Sequence, residues 1–159
     1  MIDASKYKQL VYKIIGAAME VHGELKYGLL EAIYQEALSW ELEERGIKNI
    51  REEEIKTYYK NHLLNKRYKM DIVVDDIVIE LKSATEIISA HRAQLCNYLR
   101  LTRKPIGILI NFGAPTLQGE RWVYDEKTNE CTLVDKNMEP VNINYDPFGD
   151  GTEYEENNT

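Results

Sequence analysis

The chain has 159 residues, of which 43% are hydrophobic and 30% are charged, as is typical of one soluble globular domain. It lacks both an apolar run near the ~20 residues that cross a bilayer and the pattern of a signal peptide, so we expect a cytoplasmic protein. The net charge is −7, but the segment from Asn137 onward holds six acids and no Lys or Arg. The remainder is near neutral, so the charge neither supports nor excludes a nucleic-acid partner.

Two helices are predicted in the first third of the chain. The first spans residues 7–22, with Gly23 as its expected C-terminal cap. The second lies between Gly28 and Gly46 and carries Glu31 in its first turn. The helix dipole alone explains a carboxylate there, and a functional role is the alternative. The apolar positions at helical spacing are Leu10, Ile14 and Val21 in the first helix and Leu30, Ile33, Tyr34, Ala37 and Leu38 in the second.

The most informative stretch is residues 68–82, which predicts two short strands joined by a turn at Asp75-Asp76. Successive strand residues point to opposite faces, so a two-residue turn fixes which side chains oppose each other. On one face the opposed pairs are Val74 with Ile77, Ile72 with Ile79, and Met70 with Leu81. On the other face they are Val73 with Val78, Asp71 with Glu80, and Lys69 with Lys82.

This register sets the carboxylates of Asp71 and Glu80 directly opposite each other, where like charges are destabilising. A fold can keep such a pair if a cation lies between the two groups or if one carboxyl holds its proton. Lys82 adds a positive charge two residues beyond Glu80. Hard oxygen ligands in this arrangement suit Mg²⁺ or Mn²⁺. The alternative is a solvated face with a surface ion pair.

A third helix is predicted from Ser89 to Leu101, after a connection that follows the second of these strands. Gln94 and Tyr98 are four residues apart, so they share one face, with His91 one turn earlier. The core stripe expected for this helix consists of Ile88, Leu95 and Leu99.

The remaining strands complete the order α, α, β, β, β, α, β with a small β addition. They are predicted at residues 50–59, before a turn at Asn61-His62, at residues 106–110, and in a late hairpin at residues 120–124 and 131–134. A right-handed crossover places the strand at 106–110 parallel to the strand at 77–82. We therefore expect an α/β (α+β) fold in which a mixed sheet carries helices on both faces.

Domain limits and cysteine usage give two further expectations. Residues 1–140 are predicted to form the domain, and residues 141–159 an acidic, flexible tail, since this segment has few apolar anchors. Cys96 and Cys131 are expected to be free buried thiols, because they show no metal-binding spacing and a reducing compartment is expected.

The segment Gly28-Leu-Leu-Glu31-Ala-Ile-Tyr34 matches the signature of the GxxExxY family. The chain resembles that family, in order, over roughly residues 7 to 125. The other matching segments are Val21-His22, Asp71, Glu80-Leu-Lys82, Gln94-Leu-Cys-Asn-Tyr98-Leu and Gly107-Ile-Leu-Ile-Asn111-Phe-Gly113. The family in turn resembles the PD-(D/E)XK nuclease superfamily, with its restriction-endonuclease-like αβββαβ core. Met70 stands where that superfamily has a proline before the aspartate.

The resemblance implies a role for each matching residue. Asp71 and Glu80 would ligate Mg²⁺ or Mn²⁺ with the main-chain carbonyl of Leu81, and Glu31 would be a third carboxylate at the metal. Lys82 would stabilise charge on the attacked phosphate or position the attacking water. Gln94 and Tyr98 resemble a Gln-x-x-x-Tyr pattern that orders the site and contacts nucleic acid.

Other polar residues have two interpretations each. His22 is either a ligand or a hydrogen-bonded histidine at a helix end. The same two interpretations apply to His91. Tyr34 is expected to be a packing residue whose hydroxyl holds Glu31 or Lys82. Candidate phosphate contacts, or solvated surface, are Lys66, Arg67, Lys69, Arg92, Arg100 and Arg103.

The sequence as a whole predicts a Mg²⁺- or Mn²⁺-dependent phosphodiesterase that cleaves nucleic acid, with DNA favoured over RNA. The alternatives are a catalytically silent nucleic-acid or protein interaction module on the same fold, and another metal enzyme on the same scaffold.

Overall fold

A computed structural model describes residues 3–141, 143–145 and 153–156. After a 3-10 turn at Ser5–Tyr7, the helices are α1 (Lys8–Leu25), α2 (Glu31–Glu44) and α3 (Ser89–Thr102). The strands are β1 (Ile50–Ile55), β2 (Tyr58–Tyr59), β3 (His62–Leu63), β4 (Tyr68–Val74), β5 (Ile77–Lys82), β6 (Ile106–Asn111), β7 (Gln118–Asp125), β8 (Glu130–Val134), β9 (Ile143–Tyr145) and β10 (Glu153–Glu156).

The main sheet has six strands in the order β1-β4-β5-β6-β7-β8. Strands β5 and β6 run parallel, joined through α3, and the other neighbours are antiparallel. One face packs on α1 and α2 and the other on α3. The predicted fold class and parallel crossover are therefore confirmed, as is the predicted element order apart from the additional β2–β3 hairpin.

Both N-terminal helices differ in detail from the prediction. α1 continues through Gly23 and ends where Lys26 adopts a φ of 63° and donates its N–H to the carbonyl of His22. α2 starts at Glu31, and its apolar stripe is rotated from the expected one. Tyr34, Leu38 and Leu42 are buried, whereas Leu30 and Ile33 are 73% and 42% exposed.

The strand predicted at residues 50–59 is interrupted. β1 ends at Ile55, and β2 and β3 form a separate two-stranded hairpin. Its turn lies at Lys60 and Asn61, one residue earlier than predicted, because Lys60 takes a left-handed φ of 54°.

Two apolar clusters cover the faces of the sheet. The α1–α2 side includes Ile72, Val74, Ile77, Ile79 and Leu81, as the predicted ribbon requires. Met70 belongs instead to the α3 side with Val73 and Val78. The regular β4–β5 ladder ends at Ile72–Ile79, so strict alternation is lost beyond it. Ile88, expected in the core, is 46% exposed.

Cys96 and Cys131 are buried as expected, but they are not free thiols, since they form a disulfide between α3 and β8. Residue 131 lies on the face of β8 that α3 covers. The two Cα atoms are 6.1 Å apart, which is within the range of disulfides. The sequence did not predict this proximity, because the two cysteines are 35 residues apart along the chain.

The predicted tail lies largely outside the described residues. Within it, β9 and β10 pair antiparallel, and the flexible tail stays a prediction. Among the described residues, none of the helices combines the length with the apolarity that crossing a membrane requires.

Candidate active site

The carboxylates of Asp71 and Glu80 face each other where β4 and β5 diverge. The ladder pairs Val74–Ile77, Val73–Val78 and Ile72–Ile79 as predicted, but the predicted pairs beyond them are replaced by side-chain contacts. The backbone N–H of Asp71 donates to Oε1 of Glu80 at 2.9 Å. The backbone N–H of Leu81 donates to Oδ2 of Asp71 at 2.8 Å. Each carboxylate is thus fixed by the opposite strand.

Burial makes this pair difficult to ionise fully. Glu80 is 2% exposed, and burial followed by the charge of Asp71 raises the pKa of its carboxyl well above the ordinary value. Burial also raises the pKa of Asp71, although the Leu81 N–H and the charge of Lys82 oppose this shift. Two opposed acids with raised pKa values hold a proton between them or require a cation.

Two neighbours of Asp71 were not predicted from the sequence. Glu52 lies beside it, between the ladder pairs Arg51–Ile72 and Glu53–Met70, with a φ of 53°. Its charge also raises the pKa of Asp71. Gln35, buried on α2, donates from Nε2 to the carbonyl oxygen of Asp71 at 3.2 Å. The acidic run at residues 52–54 was the available signal for Glu52.

Lys82 is held in place by α3. Its Nζ donates to Oε1 of Gln94 at 2.6 Å, and Nε2 of Gln94 donates to the hydroxyl of Tyr98 at 2.9 Å. Burial, followed by the charge of Glu80, raises the pKa of Tyr98 to about 12. The predicted face of α3 therefore meets the carboxylate pair, and its amide orients the lysine.

His91 borders the same group. Its Nδ1 accepts the backbone N–H of Ile88 at 3.2 Å, so the neutral ring carries its proton on Nε2. Burial, and then the charge of Lys82, lowers the pKa of His91, while the charge of Glu31 opposes this shift. The start of α3 thus approaches Lys82, and the first turn of α2 approaches His91.

Tyr34 is a buried packing residue as predicted, but its hydroxyl has partners other than those expected. Its hydroxyl donates to the carbonyl of Lys26 at 2.6 Å and accepts the N–H of Leu29 at 3.1 Å, so it contacts neither Glu31 nor Lys82 through hydrogen bonds. Its ring stacks on Phe112 with centroids 4.5 Å apart. Gly28, whose φ is 88°, lies in the loop that precedes α2. The hydrogen bonds of the Tyr34 hydroxyl close this loop.

The segment after β6 fixes the loop that follows Lys82. Asn111 is fully buried, accepts the N–H groups of Ala84 and Gly113, and donates to the carbonyl of Ala84 and to Gln118. A Cβ at Gly113 would lie 2.1 Å from the carbonyl oxygen of Ala84. The sequence predicted only a turn here. In the structure, Asn111 and Gly113 form a clamp that fixes the backbone immediately after Lys82.

Two further residues with open interpretations are engaged in structural contacts. His22 contacts the carbonyl oxygen of Ala114 through Nε2 at 2.9 Å, as expected of a hydrogen-bonded histidine near a helix end. Arg92, a candidate phosphate contact, pairs with Glu120 at 2.8 Å. Glu120 also accepts the indole N–H of Trp122.

The described residues contain no group of three or more His, Cys, Asp or Glu side chains placed to hold a metal ion. Glu31 therefore does not complete a three-carboxylate cluster with Asp71 and Glu80. Those two still suit a hard cation, because each uses only one oxygen for a backbone N–H, and Glu80 is buried with Asp71 half-buried opposite it. The sequence-predicted residues that meet are Asp71, Glu80, Lys82, Gln94 and Tyr98.

Comparison with known proteins agrees with this architecture. The family model of the PD-(D/E)XK nuclease superfamily matches residues 8–122. The crystal structure of SSO0001 superposes with a TM-score of 0.51 at 19% identity, covering 77% of this chain and 63% of that one. The chain thus spans less than two thirds of SSO0001, and at this identity the likeness concerns the fold alone. Comparison with curated protein sequences finds no match. The match over residues 8–122 shows that the chain belongs to the PD-(D/E)XK nuclease superfamily.

Proposed function

We propose that this protein is a Mg²⁺- or Mn²⁺-dependent nuclease that hydrolyses phosphodiester bonds in DNA, and that it belongs to the GxxExxY group of its superfamily. Membership of a nuclease superfamily supports the reaction class. The observation that carries the proposal is the opposed pair of half-buried Asp71 and buried Glu80 beside a lysine that Gln94 holds in place.

Asp71 and Glu80 would hold the metal together with the main-chain carbonyl of Leu81. Glu31, which is not grouped with these two acids among the described residues, is proposed only as a further negative charge near the site, since it acts on His91 beside Lys82. When bound, a divalent metal ion lowers the pKa of a coordinated water and neutralises charge on a phosphate oxygen. Glu80 would release its proton as the cation binds, because the cation offsets the burial and the repulsion from Asp71 that favour the protonated form.

Lys82 would supply a fixed positive charge to the phosphate in the transition state. Gln94 accepts one of the three ammonium hydrogens and so restricts the directions in which the others point. Tyr98 in turn fixes the amide of Gln94. In this scheme Lys82 acts on the phosphate, and Gln94 and Tyr98 position it.

The proposal is tested by cleavage of end-labelled DNA with Mg²⁺, Mn²⁺ or chelator, using Asp71→Ala, Glu80→Ala and Lys82→Ala. Each substitution should lower the rate by at least ~10²-fold, the scale on which loss of one electrostatic contact acts. Circular dichroism and melting temperature should show that the variants remain folded. Glu36→Ala, which removes an exposed acid on α2, is the control and should leave the cleavage rate unchanged.

Calorimetric titration with Mn²⁺ separates the roles of these residues. Asp71→Ala should abolish metal binding, whereas Lys82→Ala should preserve it. Full metal-dependent cleavage by any of the three variants would refute the corresponding assignment.

A silent interaction module on the same fold is the second candidate. The observation that favours it is that no three-ligand group exists among the described residues. DNA binding without Mn²⁺ binding and without cleavage would establish the module and reject the enzyme.

A further inference from the structure

A basic arm, residues 56–69, interrupts an otherwise acidic chain. It contains no Asp or Glu and carries five cationic side chains, namely Lys56, Lys60, Lys66, Arg67 and Lys69. Since the whole chain has a net charge of −7, the residues outside the arm carry a net −12. A local positive charge of this kind attracts a polyanion to one part of the surface.

The arm also presents aromatic rings to solvent. Tyr58, Tyr59 and Tyr68 are 60%, 65% and 45% exposed. Tyr58 and Tyr59 are consecutive on β2, so their rings point to opposite sides of the hairpin. Exposed rings interleaved with cations are the features with which proteins bind unpaired bases and the adjoining phosphates.

The hairpin is an ordered element of its own. β2 and β3 pair in a separate two-stranded sheet. The base of the hairpin is closed by the N–H of Leu64, which donates to the carbonyl of Thr57 at 2.9 Å, and by the hydroxyl of Thr57, which donates to the carbonyl of Lys66. The rings at its end are therefore presented by a closed turn.

The base of the arm leads directly to the candidate active site. The ring of Tyr68 lies 5.5 Å from the ring of Tyr98, whose hydroxyl accepts a hydrogen bond from Gln94. Gln94 is the residue that holds Lys82. A strand bound along the arm would therefore be guided toward the lysine and the carboxylate pair.

We propose that the basic arm binds single-stranded DNA that passes around the end of the hairpin, so that bases stack on Tyr58 on one side and on Tyr59 on the other while Lys60 and Lys66 contact the phosphates. This inference rests on the proposed nuclease function for the identity of the polymer. Lys69 is left out of the assignment because it lies opposite Glu54 in the β1–β4 ladder.

A single strand fits these features better than a duplex does. Paired bases hide the faces that the exposed tyrosines would stack against, whereas every unpaired base offers one. A duplex also brings about twice as many charges per unit length as one strand. The residues outside the arm carry a net charge of −12. The higher charge density of a duplex would therefore be repelled more strongly wherever the duplex extends beyond the arm.

The test is fluorescence anisotropy of the full chain in chelator, which prevents metal-dependent cleavage, with labelled oligo(dT), oligo(U) and a DNA duplex of equal length. Oligo(dT) should bind at least tenfold tighter than the duplex. Tyr58→Ala with Tyr59→Ala should weaken binding to oligo(dT) about 10- to 100-fold, the range for lost base stacking. Lys60→Gln with Lys66→Gln should reduce the slope of log affinity against log salt by ~1.4, from about 0.7 for each contact.

Tyr12→Ala with Lys13→Gln is the matched control, since this exposed pair lies on α1 away from the arm, and it should leave affinity and salt slope unchanged. Melting temperatures verify that each variant is folded. Equal binding of duplex and single strand, tighter binding of oligo(U), or equal losses in control and arm variants would overturn the inference. If the protein binds oligo(dT) but never cleaves DNA, the nuclease proposal is rejected and the assignment of the arm is kept. If the protein cleaves DNA and the arm substitutions leave cleavage unchanged, the nuclease proposal is kept and the assignment of the arm is rejected.

Discussion

Asp71 and Glu80 join β4 to β5 through their carboxylates, at the point where the main-chain ladder between the strands ends. Each accepts a backbone N–H from the opposite strand, from Leu81 and from Asp71 respectively. The acids are therefore part of the sheet and are fixed by the backbone. This arrangement holds the buried carboxyl group of Glu80 against the half-buried one of Asp71 despite their repulsion, and it makes the stability of the metal-free protein depend on their proton.

The first prediction concerns Glu80→Gln in chelator. The raised pKa means that the folded state holds this proton more tightly than the unfolded chain does. Wild-type stability should therefore fall as pH rises from the ordinary Glu value of about 4.3 toward the folded pKa. A glutamine can still accept the Asp71 N–H but never ionises. The variant should thus unfold at higher urea than wild type at neutral pH, and the gap should close in acid.

Urea denaturation across pH measures this gap, and Glu44→Gln, an exposed acid on α2, is the control that should show none. Adding Mg²⁺ should stabilise wild type and leave Glu80→Gln unchanged. A variant less stable than wild type at neutral pH in chelator would show that the carboxyl pair is not under strain.

The second prediction separates positioning from metal binding. Gln94→Ala removes the oxygen that holds Lys82, so kcat should fall about 10- to 100-fold, the scale of a misplaced catalytic group. Tyr98→Phe keeps that oxygen and removes only the hydroxyl that supports the amide, so its loss should be smaller. Mn²⁺ affinity should be unchanged in both variants.

Single-turnover cleavage and Mn²⁺ titration provide the two measurements. Asn97→Ala, on the same helix, is the control. The side chain of Asn97 accepts a hydrogen bond from Arg100 and takes no part in the hydrogen bonds that position Lys82. A Gln94→Ala protein with the wild-type rate, or with lost metal affinity, would contradict the positioning role.

The sequence predicted the centre of this site because its signals are local. Alternating Ile and Val residues around a two-residue turn set the register from Ile72 to Ile79, and that register brought Asp71 to Glu80. A helix between two apolar strands required the parallel crossover to β6. Each inference needed only spacing along the chain and the handedness of connections.

The contacts that the sequence did not reveal join residues far apart in the chain. Gln35 meets Asp71 across 36 positions, and Asn111 meets Ala84 across 27. No periodicity encodes such pairs, since they depend on how α2 and the loops pack on the completed sheet. Met70 was assigned to the wrong face because strict alternation was extended past the point where the strands diverge.

The third prediction concerns the clamp at Asn111. Asn111→Ala deletes hydrogen bonds to both backbone groups of Ala84 and to Gly113. Leaving buried polar groups unpaired costs roughly 1–3 kcal/mol each, so we expect the free energy of unfolding to fall by at least ~2 kcal/mol. Urea denaturation measures the loss. The exposed Asn61→Ala should be neutral, and an equal effect of both substitutions would reject the clamp.

The fourth prediction concerns the loop before α2. Tyr34→Phe preserves the stacking on Phe112 and removes the hydroxyl that bridges Lys26 and Leu29. The loss should be about 1–3 kcal/mol of unfolding free energy, since two hydrogen bonds are lost and each contributes roughly 0.5–1.5 kcal/mol. Tyr12→Phe, 69% exposed on α1, should change nothing. A Tyr34→Phe protein as stable as wild type would show that the hydroxyl does not hold the loop.

The fifth prediction concerns the disulfide between Cys96 and Cys131, which closes a chain segment of 35 residues. Cross-links of this kind typically stabilise a fold by about 2–4 kcal/mol, mainly through the unfolded chain. Reduction should therefore lower the unfolding midpoint of wild type in urea, and the doubly substituted Cys96→Ser, Cys131→Ser protein should be insensitive to reductant. Alkylation under denaturing conditions, followed by mass measurement, counts the free thiols directly. Two alkylated thiols in unreduced protein, with no change of midpoint on reduction, would restore the interpretation of both residues as buried thiols.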